Sequence, residues 1–344
     1  MKKRTEINIE IEELMVVRAC HGDRDQIDCP VCHSGVMVTP EQAIEAVHEQ
    51  SGYHPGCRAL HAKGLMLRGS FTANAESASL SRASHLSGET VPALIRFSNG
   101  AGTPTQADNK PGVRGMAVKL SLPGGSTTDI SAQTARLFTS STPEGFADLM
   151  HALKPDALIG YRLARYTLRY PEILRGLRQN AVTARVPVSY ATVGYHALHA
   201  FRWIDADGGS RFVRYHWIPV AGEQFLSLGA ARSKGADFLT EELSTRLAGG
   251  PIRFDLQVQI AGPDDSTIDP SAPWASTQTA TVGTLEITGL DTERERDGDI
   301  VVFDPMRVTD GIEPSDDPVL HFRTYAYSVS VKERSGVSRG AEAP

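Results

Sequence analysis

Apolar residues recur at every second position in several separate stretches of this chain. The clearest stretches are residues 116–122 and 254–260, and similar ones lie at 65–70, 195–203, 211–217 and 285–287. Because successive side chains of a β-strand point to opposite faces, this alternation predicts strands with one buried face. Many short strands of this kind are typical of an antiparallel sheet or barrel with helices packed around it.

Composition and charge exclude several classes of function. The chain has 344 residues, of which 40% are hydrophobic, enough for one large or two ordinary domains. Its net charge of −6 argues against a nucleic-acid backbone as the main partner. No stretch predicts a membrane span, and no apolar run follows the basic start as in a signal peptide, so we expect a cytoplasmic protein. The sequence leaves open whether the protein forms a homo-oligomer.

Residues 315–328 predict a helix that carries an arginine and a tyrosine on one face. Asp317 can cap the free backbone amides, and Pro318 suits the first helical position. Arg323 and Tyr327 are four residues apart, so their side chains can meet. A guanidinium against a phenol favours the phenolate form, which is a hard anionic ligand suited to ferric haem. Taken alone, the pair also fits an ordinary helix with a core tyrosine.

Three distant segments decide between these interpretations. Residues 58–64 read R-A-L-H-A-K-G, residues 90–100 read T-V-P-A-L-I-R-F-S-N-G, and residues 303–327 contain F-D-P, G-I-E-P-S and R-T-Y-A-Y. Together and in this order they resemble haem catalases, and the small catalase-related peroxidases most of all. Residues 110–120 are similar to a further run of the same family. The resemblance covers roughly residues 54–334.

The resemblance implies an α+β fold, a catalase-like antiparallel β-barrel with flanking helices. The chain is too short for the accessory domains of full-length catalases, so the minimal version is expected. We divide the chain into an N-terminal cysteine-bearing segment with a helix (1–53), the haem-binding core (54–334) and a flexible tail (335–344).

The resemblance also implies roles for individual residues around a haem b. His61 would transfer the proton during cleavage of the peroxide bond, because a neutral imidazole can accept and return it. Ser98 would hold that imidazole in place, Tyr327 would bind the iron, and Arg323 would keep Tyr327 ionised. The remaining implied haem contacts are Arg58 and Arg96 at the propionates, Phe146 over the distal face, and His199 at the haem side.

The chain departs from the family where haem catalases carry two asparagines after an aspartate-leucine-valine-glycine run. Here residues 129–134 read D-I-S-A-Q-T, so the distal amide donor is missing or replaced by Gln133 or Thr134. In the family that amide helps to position a second peroxide. Weak catalase activity and peroxidase turnover are therefore expected. Arg114, on the adjacent predicted strand, is assigned a structural role.

All four cysteines lie in the first 57 residues, and their role is open. The motif C-P-V-C-H at residues 29–33 fits simple or redox-active thiols, a zinc site, or covalent attachment of a c-type haem. We favour these in that order, because no export signal is visible for haem c and the second half of a zinc motif lacks a standard spacing. The candidate zinc ligands are Cys20, Cys29, Cys32 and Cys57.

Residues 158–179 predict a basic helical region that contains five arginines and is interrupted by Pro171. Such a region is either a surface for an anionic partner or membrane, or a solvated helix face on an acidic protein. We favour the solvated face.

The sequence therefore predicts a haem peroxidase. It would reduce hydrogen peroxide or an organic hydroperoxide with electrons from an external small-molecule donor. Two alternatives remain: a haem enzyme that hydroxylates or rearranges a specific metabolite or hydroperoxide, and a non-catalytic haem sensor.

Overall fold

Eight antiparallel strands close into a barrel in the computed structural model, which describes residues 37–295 and 299–335. Around the barrel the strands follow the order β7-β5-β4-β3-β2-β1-β9-β8, and pairing of β8 with β7 closes it. Two short strands, β6 and β10, extend the sheet beyond β7. The strands are β1 (Gly64–Ala73), β2 (Thr90–Asn99), β3 (Arg114–Ser121), β4 (Thr127–Gln133), β5 (Tyr195–His196), β6 (Phe201–Ile204), β7 (Ser210–Pro219), β8 (Ile252–Ile260), β9 (Thr279–Leu290) and β10 (Ile312–Pro314).

The predicted antiparallel barrel is confirmed, but one strand is shorter than its sequence pattern suggests. Residues 195–203 form two strands, β5 and β6, separated at residues 197–200. The amide of Ala197 still bonds to β7 inside this gap, and the side chain of His199 hydrogen-bonds Asp317 there. The other alternating stretches lie in β1, β3, β7, β8 and β9, and their apolar side chains fill one continuous core.

Seven helices in the described ranges flank the barrel. They are α1 (Pro40–Ser51), α2 (Pro143–Ala152), α3 (Ile159–Arg169), α4 (Ile173–Gln179), α5 (Leu228–Arg232), α6 (Phe238–Ala248) and α7 (Pro318–Arg334). None of them combines the length and the apolar character that a membrane-spanning helix needs.

Local capping fixes where several helices begin. Thr39 and Gln42 form a reciprocal capping box at α1, and Thr142 caps α2 through the amide of Gly145. Asp317 caps α7 by accepting hydrogen bonds from the amides of Val319 and Leu320, as the sequence predicts.

Helices α1, α2, α3 and α7 share a second apolar cluster beside the barrel. Ile44 and Val47 of α1 pack with Met150 of α2, Tyr166 of α3 and Val329 of α7. Helix α1 lies before the predicted boundary at residue 54, and it packs directly on the helices that follow. The division of the chain at residues 54 and 335 stays a prediction. Most of its N-terminal segment and its tail lie outside the described residues.

Gly69 lies at an irregularity in the pairing of β1 with β9, and its backbone approaches β9 closely. A Cβ atom at this position would lie 2.2 Å from the backbone oxygen of Glu286, so the strands would have to separate. We expect Gly69→Ala to lower the free energy of unfolding by about 1–3 kcal/mol. Urea denaturation followed by circular dichroism measures the change.

The matched control is Gly229→Ala in α5, where an added Cβ atom meets nothing within 4 Å. Its free energy of unfolding should stay the same or rise slightly, because alanine favours a helix over glycine. Equal destabilisation by both variants would contradict this account of Gly69.

Candidate active site

Arg323 and Tyr327 meet on one face of α7, as their spacing predicts. The Nε and Nη2 atoms of Arg323 lie 3.0 and 2.5 Å from the phenol oxygen of Tyr327. Two donors from one positive group therefore meet on the phenol oxygen. The pair therefore presents an oxygen ligand of the kind that ferric haem binds.

The N-terminus of α7 is fixed by a second buried pair, His199 and Asp317. One carboxylate oxygen of Asp317 caps the helix, and the other lies 2.6 Å from Nδ1 of His199. Both side chains are buried, and Nε2 of His199 has no hydrogen-bond partner in the described structure. Burial lowers the pKa of His199, although Asp317 acts in the opposite direction. His199 thus connects the barrel wall to the helix that carries Tyr327.

On the barrel side, His61 is held by Ser98 at the end of β2. Nδ1 of His61 lies 2.9 Å from Oγ of Ser98, which leaves Nε2 to face a bound molecule. His61 has a φ of 56°, in the left-handed region that residues other than glycine rarely adopt. Such strain persists where the surroundings fix it, and it concentrates at functional sites. Here the amide of Ala62 is anchored by the carbonyl of Ala101 at 3.1 Å.

Gly115 of β3 makes the close packing of this pair possible. A Cβ atom at Gly115 would lie 2.6 Å from both Nδ1 of His61 and Oγ of Ser98. These distances are far below van der Waals contact, so only glycine leaves the hydrogen bond intact. No sequence motif singles out this residue. Its position opposite Ser98 in the pairing of β2 with β3 could have indicated it.

The surroundings of His61 keep its imidazole neutral. Burial, followed by the positive charges of Arg96, Arg323 and Arg58, lowers the pKa of His61 to about 3. The sequence assigned Arg96, Arg323 and Arg58 to one site, and in the structure all three lower the pKa of the same imidazole. A neutral ring can accept a proton at physiological pH, which is the property a general base needs.

Arg58 and Arg96 lie together in a buried cluster with two residues that the sequence analysis missed, Glu295 and Arg334. The carboxylate of Glu295 bridges Arg58 and Arg96, with Nε of Arg96 at 3.0 Å, and Nη1 of Arg334 lies 4.0 Å away. Burial opposes ionisation of Glu295, but the charges of Arg58 and Arg96 outweigh it and lower its pKa. Burial also lowers the pKa of Arg334 to about 10, so its guanidinium stays charged.

This cluster is suited to bind the propionate groups of a haem. Three guanidinium groups share one carboxylate, and Nε of Arg58 and of Arg334 has no hydrogen-bond partner in the described structure. The excess of positive charge and the free donors match the two propionates of a haem, because guanidinium groups bind carboxylates in a fork geometry. Arg334 was predictable from its position seven residues after Tyr327, whereas Glu295 has no such local signal.

The two possible replacements for the distal amide donor, Gln133 and Thr134, have different surroundings. Oγ1 of Thr134 accepts a hydrogen bond from the amide of Arg114 at 3.0 Å, so that side chain serves the strand pairing. Gln133 pairs with Gly115 across the sheet, in the same row as Ser98. Side chains of paired residues share a face, so Gln133 points to the side on which Ser98 meets His61.

Arg114 and Phe146 both lie in packed positions. The guanidinium of Arg114 is buried and donates to the carbonyl oxygens of Asp108 and Lys110. Phe146 of α2 stacks on Phe138 at 5.6 Å between ring centres and joins the cluster of α1, α2 and α7. Its predicted place over the distal haem face stays a prediction.

The predicted zinc site is not supported. No group of three or more His, Cys, Asp or Glu residues in the described ranges could hold a metal ion. Cys57 is a free, partly exposed thiol, and no other cysteine lies in those ranges. Cys20, Cys29 and Cys32 lie outside the described residues, as does His33 of the C-x-x-C-H motif.

Comparison with known proteins identifies relatives along almost the whole chain. The family model described as "Catalase" matches residues 33–340. A catalase-related peroxidase of Mycolicibacterium paratuberculosis is 64% identical over 307 residues, which are 89% of this chain and 98% of that protein. A catalase-related peroxidase of Synechococcus elongatus is 32% identical over 87% of this chain and 89% of its own length. A catalase of Vibrio vulnificus is 26% identical over 82% of this chain, but over only 58% of its own longer sequence.

The position of Gly115 generates a test of the site's geometry. Gly115→Ala should push His61 and Ser98 apart and lower the free energy of unfolding by about 1–3 kcal/mol. A crystal structure of the variant measures the separation of Nδ1 from Oγ, and urea denaturation measures the stability.

Gly235→Ala is the control, because a Cβ atom there meets nothing within 4 Å. It should leave both quantities unchanged. An unaltered His61–Ser98 hydrogen bond in Gly115→Ala would show that the close approach is not required.

Proposed function

The chain belongs to the catalase family, and we propose that it is a haem b peroxidase. It would reduce hydrogen peroxide or an organic hydroperoxide with electrons from an external small-molecule donor, in the cytoplasm. The observation that carries this proposal is the phenol oxygen of Tyr327, held by two donors of Arg323, whose charge also acts on the imidazole of His61.

The donor set fits a haem, which would supply the ferric iron at which the peroxide bond is cleaved. Tyr327 would bind the iron through its phenol oxygen, and Arg323 would keep that oxygen anionic. The propionates would be bound by Arg58, Arg96 and Arg334, which carry more positive charge than Glu295 neutralises.

His61 would move the proton of the bound peroxide. Its neutral Nε2 would accept that proton and deliver it to the leaving oxygen, which then departs as water or as an alcohol. Ser98 would keep the ring in one orientation through Nδ1, so the same nitrogen serves both steps. The low pKa of His61 keeps the ring unprotonated at physiological pH, so the lone pair of Nε2 is available.

We expect only weak disproportionation of hydrogen peroxide. The distal amide role falls to Gln133, whose side chain is longer by one methylene than the family's asparagine. In the family the asparagine helps to position a second peroxide, and the longer Gln133 would place its amide elsewhere, whereas reduction by an outside donor needs no such contact. The names of the two most similar relatives described above also favour peroxidase activity. No feature of the site favours the metabolite-modifying enzyme or the haem sensor.

Replacement of His61 tests whether this residue is needed for peroxide turnover and not for haem binding. His61→Ala should lower kcat/KM for peroxide by about 10²–10⁴, the usual contribution of a general base, while the haem absorption spectrum remains. Dye oxidation per bound haem measures the rate. His151→Ala, an exposed histidine on α2, is the control and should keep full activity.

In the same series, Tyr327→Phe should change the haem spectrum, because the phenol oxygen that would bind the iron is lost. An unchanged spectrum would refute the proposed ligand. A His61→Ala variant with wild-type rates would refute the peroxidase mechanism. Stable haem binding without any turnover in the wild type would point to the sensor instead.

The contribution of Arg334 to haem affinity can be measured without an activity assay. Arg334→Gln should weaken haem binding by about tenfold or more, since a charged hydrogen bond to a propionate contributes about 1.5–3 kcal/mol. Titration of the haem-free protein, followed by the Soret absorbance, measures the affinity. Lys332→Gln, an exposed neighbour on α7, is the control. Equal affinities of both variants would exclude Arg334 from the propionate site.

A further inference from the structure

The outer sides of α3 and α4 carry large apolar side chains that project into solvent. We call this the α3–α4 surface. Its apolar members are between 54% and 85% exposed, and they are Leu158, Tyr161, Leu168, Leu174 and Leu177.

Core packing does not explain these side chains. The inner side of α3 already contributes Leu163 and Tyr166 to the cluster shared with α1, α2 and α7. Single exposed apolar residues are common on proteins, but five of them on or next to two consecutive helices point to a binding surface. Leu168 is 85% exposed, more than any other large apolar side chain of the described residues. These exposures argue against an ordinary solvated helix face.

The same surface is strongly basic on an acidic protein. Residues 158–179 contain five arginines and a single acid, Glu172, although the whole chain has a net charge of −6. Arg162 and Arg169 form ion pairs with acidic residues of the neighbouring segments. The other three make no ion pair within the described ranges, and they are Arg165, Arg175 and Arg178.

We propose that the α3–α4 surface binds the surface of an anionic lipid bilayer. Exposed leucine and tyrosine side chains beside arginines are the pattern of helices that lie in the interfacial plane of a membrane. The leucines would enter the boundary between headgroups and acyl chains. The arginines would meet the lipid phosphates, while their aliphatic stems cover apolar surface.

Charge argues against the other occupants. In a twofold dimer formed through this surface, the unpaired arginines of both copies would face each other and repel. A nucleic acid would satisfy the arginines but would leave the five apolar side chains against phosphates and water. An anionic bilayer satisfies both sets at once, and its mobile headgroups need no shape-matched pocket.

Sedimentation with lipid vesicles tests the proposal on the haem-loaded, full-length protein. The protein should bind vesicles of phosphatidylcholine mixed with phosphatidylglycerol and leave vesicles of phosphatidylcholine alone in solution. Binding should weaken as salt is added, because the attraction is screened. No binding, or equal binding to both vesicle types, would overturn the proposal.

Variants assign the binding to this surface. The triple variant Arg165→Gln/Arg175→Gln/Arg178→Gln should lower the partition coefficient by about a hundredfold, from a contribution of about 1 kcal/mol per arginine. Leu168→Ser/Leu177→Ser should lower it by about tenfold or more, because two buried side chains are lost. The control is Leu228→Ser/Arg232→Gln on α5, where Leu228 is 71% exposed. A control that loses as much binding as the test variants would overturn the assignment.

Two further outcomes would name a different occupant. A dimer seen by light scattering that dissociates in Leu168→Ser would show that a second copy covers the surface. Binding to duplex DNA as strong as binding to anionic vesicles would show a general polyanion surface. Either result would contradict a lipid-specific role, and neither depends on the haem chemistry.

Discussion

Helix α7 sets the geometry of the site because one of its faces carries every contact that the site needs from the C-terminal segment. Arg323, Tyr327, Ser330 and Arg334 follow each other at intervals of four, three and four residues, which keeps them in one row along a helix. Arg323 contacts Tyr327, Oγ of Ser330 accepts from the amide of Ala59, and Arg334 lies beside Glu295. A shift of one residue at the helix start would rotate this row by about 100° and destroy all three contacts together. The carboxylate of Asp317, which caps α7, therefore determines where the whole row points.

Charge is arranged so that the site holds an anion without protonating its base. Four guanidinium groups lie close to His61 or to one another, and only Glu295 neutralises any of them within the described residues. In a dry site such charges act over long distances, because little water screens them. The same positive field that would attract propionates adds to burial, which is the larger cause, in keeping the imidazole of His61 neutral. One arrangement of arginines thus suits the cofactor's propionates and contributes to the state of the base.

Local patterns predicted most of the fold, whereas long-range contacts decided the rest. Alternation in β3 and β8 and the caps at Thr39 and Asp317 are properties of short stretches, and each is present as expected. The break between β5 and β6 interrupts a regular alternation, so periodicity alone could not find it, and His199 inside it contacts a residue more than a hundred positions away. The pairing of Glu295 with Arg58 and Arg96 joins three separate segments of the chain, so no local pattern could show it.

The roles of Gln133, Thr134 and the residues of the α3–α4 surface could be assigned only after their neighbours in space were known. Gln133 and Thr134 were equivalent in the sequence, and the hydrogen bond from Arg114 to Thr134 separates them. Helix α3 has apolar residues on two opposite sides, since Leu163 and Leu168 are five positions apart. Either side could have faced the core, and a basic helix with one buried apolar stripe would be an ordinary solvated element. Because the core takes the side of Leu163 and Tyr166, the second stripe remains outside among unpaired arginines. A surface that is both apolar and cationic is costly to leave in water, and this cost is what argues for an anionic lipid partner.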